Sequence, residues 1–142
     1  MSYSLSLSKA ILVVIFVSDK IQQGMYDFLP TKTIAEVINI PRPTLVKILQ
    51  SLSRVGILET KEGKNGGVRL AKSPKELTVL DIFNAMESDK SLFQTSFNIL
   101  AEGGRPDKAQ ESVAALLNTA ESEMKKTLAA KTIAEILKEM SQ

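Results

Sequence analysis

Apolar positions recur with a helical period over most of the chain, and Gly and Pro divide that pattern into segments. Residues 5–23 hold the longest apolar stretch, unbroken from Ala10 to Val17. Its centre, ILVVIFV, is β-branched and favours a strand locally. Length decides otherwise: about nineteen residues pass without Gly or Pro, which predicts a helix. A helix apolar on most sides must be covered on more than one of them. Gly24 is its stop. Residues 25–32 read as a connector. Thr33-Ile34-Ala35-Glu36 then has the form of a capping box, opening a short helix from Ile34 to Ile38. Asn39-Ile40-Pro41 breaks it.

Pro43 fits the first turn of the next helix, where no N–H is needed. There Leu45, Ile48, Leu49, Leu52 and Val55 form a buried stripe, and at 100° per residue Lys47, Gln50 and Arg54 fall on the opposite face. Gly56 ends this helix. Ile57 to Lys61 and Val68 to Ala71 predict a β-hairpin. Gly63, Gly66 and Gly67 in its loop supply the positive φ angles of a tight turn. Thr78-Val79-Leu80-Asp81 is a second capping box. It opens a helix that ends near Glu87, with Leu80, Ile82, Phe83 and Met86 on its apolar side. Residues 88–107 are less regular. Their cluster of Phe93, Phe97, Ile99 and Leu100 reads either as core beneath a loop or as the lining of an effector pocket. A long helix is predicted over 107–130. After it, Thr132-Ile133-Ala134-Glu135 caps a terminal helix through Met140. KTIAEVI at 32–38 and KTIAEIL at 131–137 nearly match, but a single pair with unrelated flanks is no repeat architecture.

The predicted class is therefore mainly α with a small two-stranded β-hairpin. Three regions follow: 1–87 as the main domain, 88–107 as a connecting segment, and 108–142 as C-terminal helices, candidates for dimerisation. In the long helix Val113, Leu117, Ala120, Met124 and Leu128 are spaced by four, three, four and four residues. Such a stripe calls for a partner helix, as in a two-fold dimer, or for folding back on its own domain.

Composition removes several kinds of chemistry. The 142 residues include no Cys, no His and no Trp. Thiolate nucleophiles, imidazole bases, zinc fingers and Cys-held iron–sulfur clusters are excluded, so no metal site and no cofactor is expected. No nucleophile–base arrangement and no phosphate-cradling Gly loop is present, and an enzyme is not expected. The longest apolar run is too short for a span of about 20 residues, and the N-terminus lacks a leader pattern. A cytoplasmic location away from membranes is expected.

Charge adds an asymmetry, which reads either as a polyanion-binding face or as an uneven solvated surface. Residues 1–75 carry eleven Lys/Arg and five Asp/Glu, a net +6; residues 76–142 carry seven and eleven, a net −4. The excess cations fall on the helix at 43–54 and on the hairpin. Short helix, tight turn, amphipathic helix and Gly-rich hairpin follow in the order of a winged helix-turn-helix. That arrangement places the second helix in a DNA major groove about 12 Å wide, while the hairpin reaches the flanking backbone. The candidate DNA-binding residues are Thr33, Arg42, Thr44, Lys47, Gln50, Arg54, Lys61, Lys64, Asn65 and Arg69. Taken singly, Lys47 and Arg54 read equally as solvated surface. A winged-helix module for protein–protein interaction, without DNA binding, is the alternative.

The segments TIAEVINIPRPTLVKILQSLSRVGIL, KEGKNGGVRLAKSPKEL and TVLDIFNAME resemble the Rrf2 family of bacterial transcription regulators. The wing pattern from Gly63 to Leu70, followed by a Thr-x-x-Asp-Ile helix, carries most of the likeness. The resemblance implies a homodimer that binds a palindromic operator in double-stranded DNA and represses, with the helix after 107 as dimerisation helix and an effector still to be identified. Two departures stand out. Several members hold an iron–sulfur cluster on three Cys after the helix that ends near Glu87, and this chain has none. The family commonly places Arg before the first wing glycine, where this chain has Glu62, a carboxylate unfavourable near phosphates.

Overall fold

The computed structural model describes residues 3–87 and 92–142. Residues 88–91, the start of the expected connecting segment, lie outside the described residues. The elements are α1 (Tyr3–Gln22), α2 (Thr31–Ile38), α3 (Arg42–Arg54), β1 (Leu58–Lys61), β2 (Gly67–Leu70), α4 (Val79–Glu87), α5 (Gly104–Ala129) and α6 (Ile133–Met140). The class is as expected, a mainly helical winged helix-turn-helix with a two-stranded antiparallel hairpin and a long C-terminal helix.

The β-branched run of α1 is helical because one face of it is core. Ala10, Val13, Val14 and Val17, spaced i, i+3, i+4 and i+7, are fully buried. They share one core with Ile34 of α2, Leu45, Ile48 and Leu52 of α3, Leu58 and Val68 of the hairpin, and Ile82 of α4. On the opposite side of α1, Leu5 and Leu12 are 58% and 53% exposed.

The first capping box is not formed. Helix α2 begins at Thr31, two residues before the expected cap, and no side chain caps it. Pro30, with φ −63° and ψ 138°, turns the chain, and its carbonyl accepts the Ile34 N–H at 3.2 Å. Thr33 thus lies inside the helix. Asn39 closes α2 in the left-handed region at φ 58°, a conformation that Asn tolerates. Three residues, Asn39 to Pro41, separate α2 from α3, with the Ile40 side chain buried beneath the turn.

Helix α3 buries Leu45, Ile48, Leu49 and Leu52 as predicted. Val55 departs from the expected stripe: it is the C-cap, where the chain leaves the helix, and is 48% exposed. The end is a Schellman motif. Gly56 at φ 79° donates to Ser53 O at 3.1 Å, and Ile57 donates to Leu52 O at 3.0 Å. The hairpin pairs Leu58 with Leu70, Glu59 with Arg69, Thr60 with Val68, and Lys61 with Gly67. Gly66, expected to supply positive φ, is not in that region; it is required by space, since a Cβ there would stand 2.2 Å from Lys61 O. The connector hides a third strand position. Leu29 donates to Val68 O at 2.8 Å and accepts from Val68 N at 2.9 Å.

The second capping box is complete. Asp81 N donates to Thr78 Oγ1 at 3.2 Å, and Thr78 N to Asp81 Oδ2 at 2.9 Å. At the third, Thr132 Oγ1 accepts from Glu135 N at 3.1 Å. Helix α5 starts at Gly104 rather than at 107 and runs about 39 Å at 1.5 Å per residue. None of its residues is buried: Leu117, Met124 and Leu128 are half-buried, Ala120 is exposed, and Val113 and Leu116 are 45% and 68% exposed. Helix α6 returns to the first 87 residues. Ile133 N donates to Leu77 O at 2.8 Å, Val79 N to Lys131 O at 3.0 Å, and the Ile133 side chain is fully buried in the main core. Phe97, Ile99 and Leu100 are exposed, Leu100 at 91%, so they are not core beneath a loop in the single chain.

The caps give a stability contrast. Thr78→Ala is expected to cost about 1 kcal/mol in denaturant unfolding, whereas Thr33→Ala, with no cap to lose, should remove no capping energy and stay within about 0.5 kcal/mol.

Candidate nucleic-acid interface

Three elements converge on one exposed cleft of about 340 Å³. Helix α2 contributes Thr31 and Lys32 from its first turn. Arg42 stands at the start of α3. The hairpin supplies Thr60, Lys61, Glu62, Gly63 and Lys64. Local chemistry explains each position. Pro30 starts α2 early enough to bring Lys32 to the rim, and Pro41 starts α3 so that Arg42 is its first residue. The register puts Lys61 at the end of β1, just before the glycine turn that carries Lys64.

Among the described residues, no carboxylate lies in salt-bridge range of Lys32, Arg42, Lys47, Arg54, Lys61 or Lys64. Glu62 is the one carboxylate lining the cleft. It also lines a neighbouring groove of about 330 Å³ between α3 and the hairpin, with Val46, Gln50, Ser53 and Thr60. Ser53 Oγ and Thr60 Oγ1 are 3.3 Å apart there and fix the hairpin against α3.

The candidate residues from the sequence separate into groups. Arg42, Lys61 and Lys64 meet in the cleft, and Gln50 lies in the adjoining groove. Lys47 is exposed on the outer face of α3. Asn65 lies with Lys64 on the other side of the loop, facing Met25 to Phe28. Thr33 and Thr44 are half-buried. Arg54 is exposed in the last turn of α3, about 18 Å along the axis from Arg42. Arg69 is not brought to the cleft. Its guanidinium is held by Glu59 at 2.5 Å and Asp27 at 3.1 Å and lies 4.3 Å from the Phe28 ring centre. Thr31, Lys32 and Val46 were not anticipated. Pro30 was the available signal for the first two, because a Pro opening a helix places the next residues in its first turn.

A family model, described as Rrf2 and as an iron-dependent transcriptional regulator, matches residues 5–139. The chain belongs to the Rrf2 family. The NsrR transcriptional regulator of Bacillus licheniformis is 30% identical over 82 residues, covering 58% of this chain and 55% of that protein. Protein aau3 of Rhizobium meliloti is 43% identical over 54 residues, 38% of this chain and 35% of that protein. This chain thus spans about a third to just over a half of the curated relatives it matches. Among solved structures, CymR, the global cysteine regulator of B. subtilis, is 18% identical with a TM-score of 0.66 over 95% of both chains. IscR of T. potens is 17% identical with a TM-score of 0.64, over 99% of this chain and 85% of that one. These likenesses establish the Rrf2 fold.

The family description names iron, and the residues present do not fit it. The chain offers no thiolate and no imidazole, and among the described residues no three carboxylates gather in a metal-holding group. No described helix is long and apolar enough to cross a membrane.

Glu62 sets a measurable electrostatic handicap on this face. Glu62→Gln is expected to tighten binding to duplex DNA by less than about tenfold at low salt, an advantage that shrinks as salt is raised, in a fluorescence anisotropy titration.

Proposed function

We propose that this protein is a cytoplasmic, homodimeric transcriptional repressor that binds a palindromic operator. Residues 1–87 make the DNA contacts and the helices of 108–142 join two copies. The observation that carries the reading is the convergence of four cations, Lys32, Arg42, Lys61 and Lys64, from α2, α3 and the wing on one cleft, with no carboxylate partner among the described residues and with Lys47 exposed on α3 beside them in sequence. Unpaired cations on one face supply the counterion-release term of nucleic-acid affinity. Arg42 and Lys47 sit where a recognition helix meets base edges, and Gln50 has the amide chemistry to read adenine. Lys61, Lys64 and Asn65 reach the flanking backbone, and Thr44 borders the same helix end. Arg54, at the far end, is left a peripheral phosphate contact.

The dimer rests on unburied apolar surface. Val113 and Leu116 of α5 and Leu5 and Leu12 of α1 are all exposed in the single chain, and exposed apolar surface on a helix suits an interface. Pairing α5 helices through Val113, Leu117, Ala120, Met124 and Leu128 about a two-fold axis covers the α5 stripe. It also suits recognition helices to half-sites one DNA turn, about 34–36 Å, apart.

Duplexes enriched by the protein from a random-sequence pool test the DNA reading. The enriched sites should be two-fold symmetric, and log affinity should fall steeply with log salt. Arg42→Ala or Lys47→Ala should cost about 1–3 kcal/mol and relax preference at one position of each half-site, whereas Lys64→Ala should weaken all sequences alike and lower the salt slope by about one. No enrichment and a flat salt response would instead favour a protein–protein interaction module.

Light scattering tests the assembly: the expected mass is twice the 15.5 kDa of one chain. Leu117→Glu should yield monomer or insoluble protein and lose tight binding. A wild-type mass of one chain at micromolar concentration overturns the dimer.

A further inference from the structure

Register places three charged side chains and one aromatic ring on the same side of the wing. Leu29 pairs with Val68, so Phe28 lies opposite Arg69, and Arg69 faces Glu59 across the hairpin. Alternate strand residues change faces, which puts Phe28, Arg69 and Glu59 in one row and Lys61 two residues along on the same side. The contacts follow this row. Arg69 Nε donates to Glu59 Oε1 at 2.5 Å, and Arg69 Nη1 donates to Asp27 Oδ1 at 3.1 Å. The Arg69 guanidinium carbon is 4.3 Å from the Phe28 ring centre, and Lys61 Nζ is 5.6 Å from the same ring. Lys64, which lines the cleft with Arg42, also borders a neighbouring groove with Asp27 and Phe28.

We propose that Arg69 is a positioning residue for the wing, resting on the DNA-binding reading above. Its planar fork joins the connector, through Asp27, to the hairpin, through Glu59, while its face holds the Phe28 ring. Lys61 stacks on that ring, so the clamp decides where Lys61 and the adjoining loop with Lys64 stand relative to Arg42. A guanidinium suits this part because it offers donors in two directions and a flat face at once; a lysine ammonium offers neither the fork nor the face. Two carboxylate partners also leave Arg69 little charge to offer a phosphate. Each contact is partly exposed and individually small, on the scale of one surface ion pair or one cation–π contact. The sheet register makes them act together, because the backbone pairs on both sides of β2 already hold the row in place.

The test uses the full chain and a duplex enriched by the wild-type protein from a random-sequence pool. Arg69→Ala and Phe28→Leu should each weaken binding about two- to fivefold, the size of one exposed cation–π contact. That loss should disappear when Lys61 and Lys64 are both already Ala. Arg69→Lys should not restore affinity. Phe28→Leu changes no charge, so its effect cannot be a lost phosphate contact. Thermal unfolding followed by circular dichroism checks folding; if Arg69→Ala does not fold, Phe28→Leu and Arg69→Lys carry the comparison. The clamp is overturned if Arg69→Lys restores full affinity, or if the loss persists with a slope lowered by about one in the Lys61→Ala/Lys64→Ala background, since Arg69 then touches phosphate itself. Unchanged affinity in both Phe28→Leu and Arg69→Lys overturns it as well. A wild-type protein that retains no duplex overturns the DNA reading, and this inference with it.

Discussion

The wing depends on the backbone of Val68. Both its N–H and its carbonyl are committed to Leu29, while its neighbours in β2 face β1. Its side chain is buried with Leu58, Leu52 and Ile57. The hairpin is thus tied on one edge to the connector before α2 and on one face to α3. A two-stranded hairpin alone is marginal in water; the additional bonded position and the apolar face under it supply what the hairpin lacks. Gly67 allows this approach, because a Cβ there would stand 2.2 Å from Leu29 O. The cleft inherits its shape from this junction, since its walls are the start of α2, the start of α3 and the wing.

A second constraint acts from the other end of the chain. Ile133 is fully buried in the core that α1 organises, and the strand-like contact between Thr78 and Thr132 joins α6 to the start of α4. The C-terminal half of α5, from Asn118 to Ala129, faces Leu80 of α4, and the chain then returns as α6. The middle of α5 has no buried residue in the single chain.

Much of this was legible in local pattern. The stripe of Leu45, Ile48, Leu49 and Leu52 and the Thr78–Asp81 capping box need only near neighbours, and so the sequence predicts them. The glycine loop between the strands is equally local. The errors have a common cause. Thr33 looked like a cap because it stands three residues before a Glu, yet Pro30 had already opened the helix. Val55 continued an apolar period past the point where Gly56 takes the chain out of the helix. Arg69 read as one more cation of a basic hairpin, because its anionic partners are Glu59, ten residues away, and Asp27, forty-two residues away.

The amino-acid sequence by itself determined the order of elements, the exclusion of Cys- and His-based metal chemistry, and the basic character of the first half. These follow from composition, period and local turn chemistry, which act over a few residues. Only the tertiary structure decided which cations are free and which are paired, that the 25–30 connector is part of the sheet, and that α6 belongs to the core of the first 87 residues. Pairings across tens of residues leave no periodic trace in the sequence. They are selected by which buried faces and backbone edges fit together once the core of α1, α3 and α4 has formed.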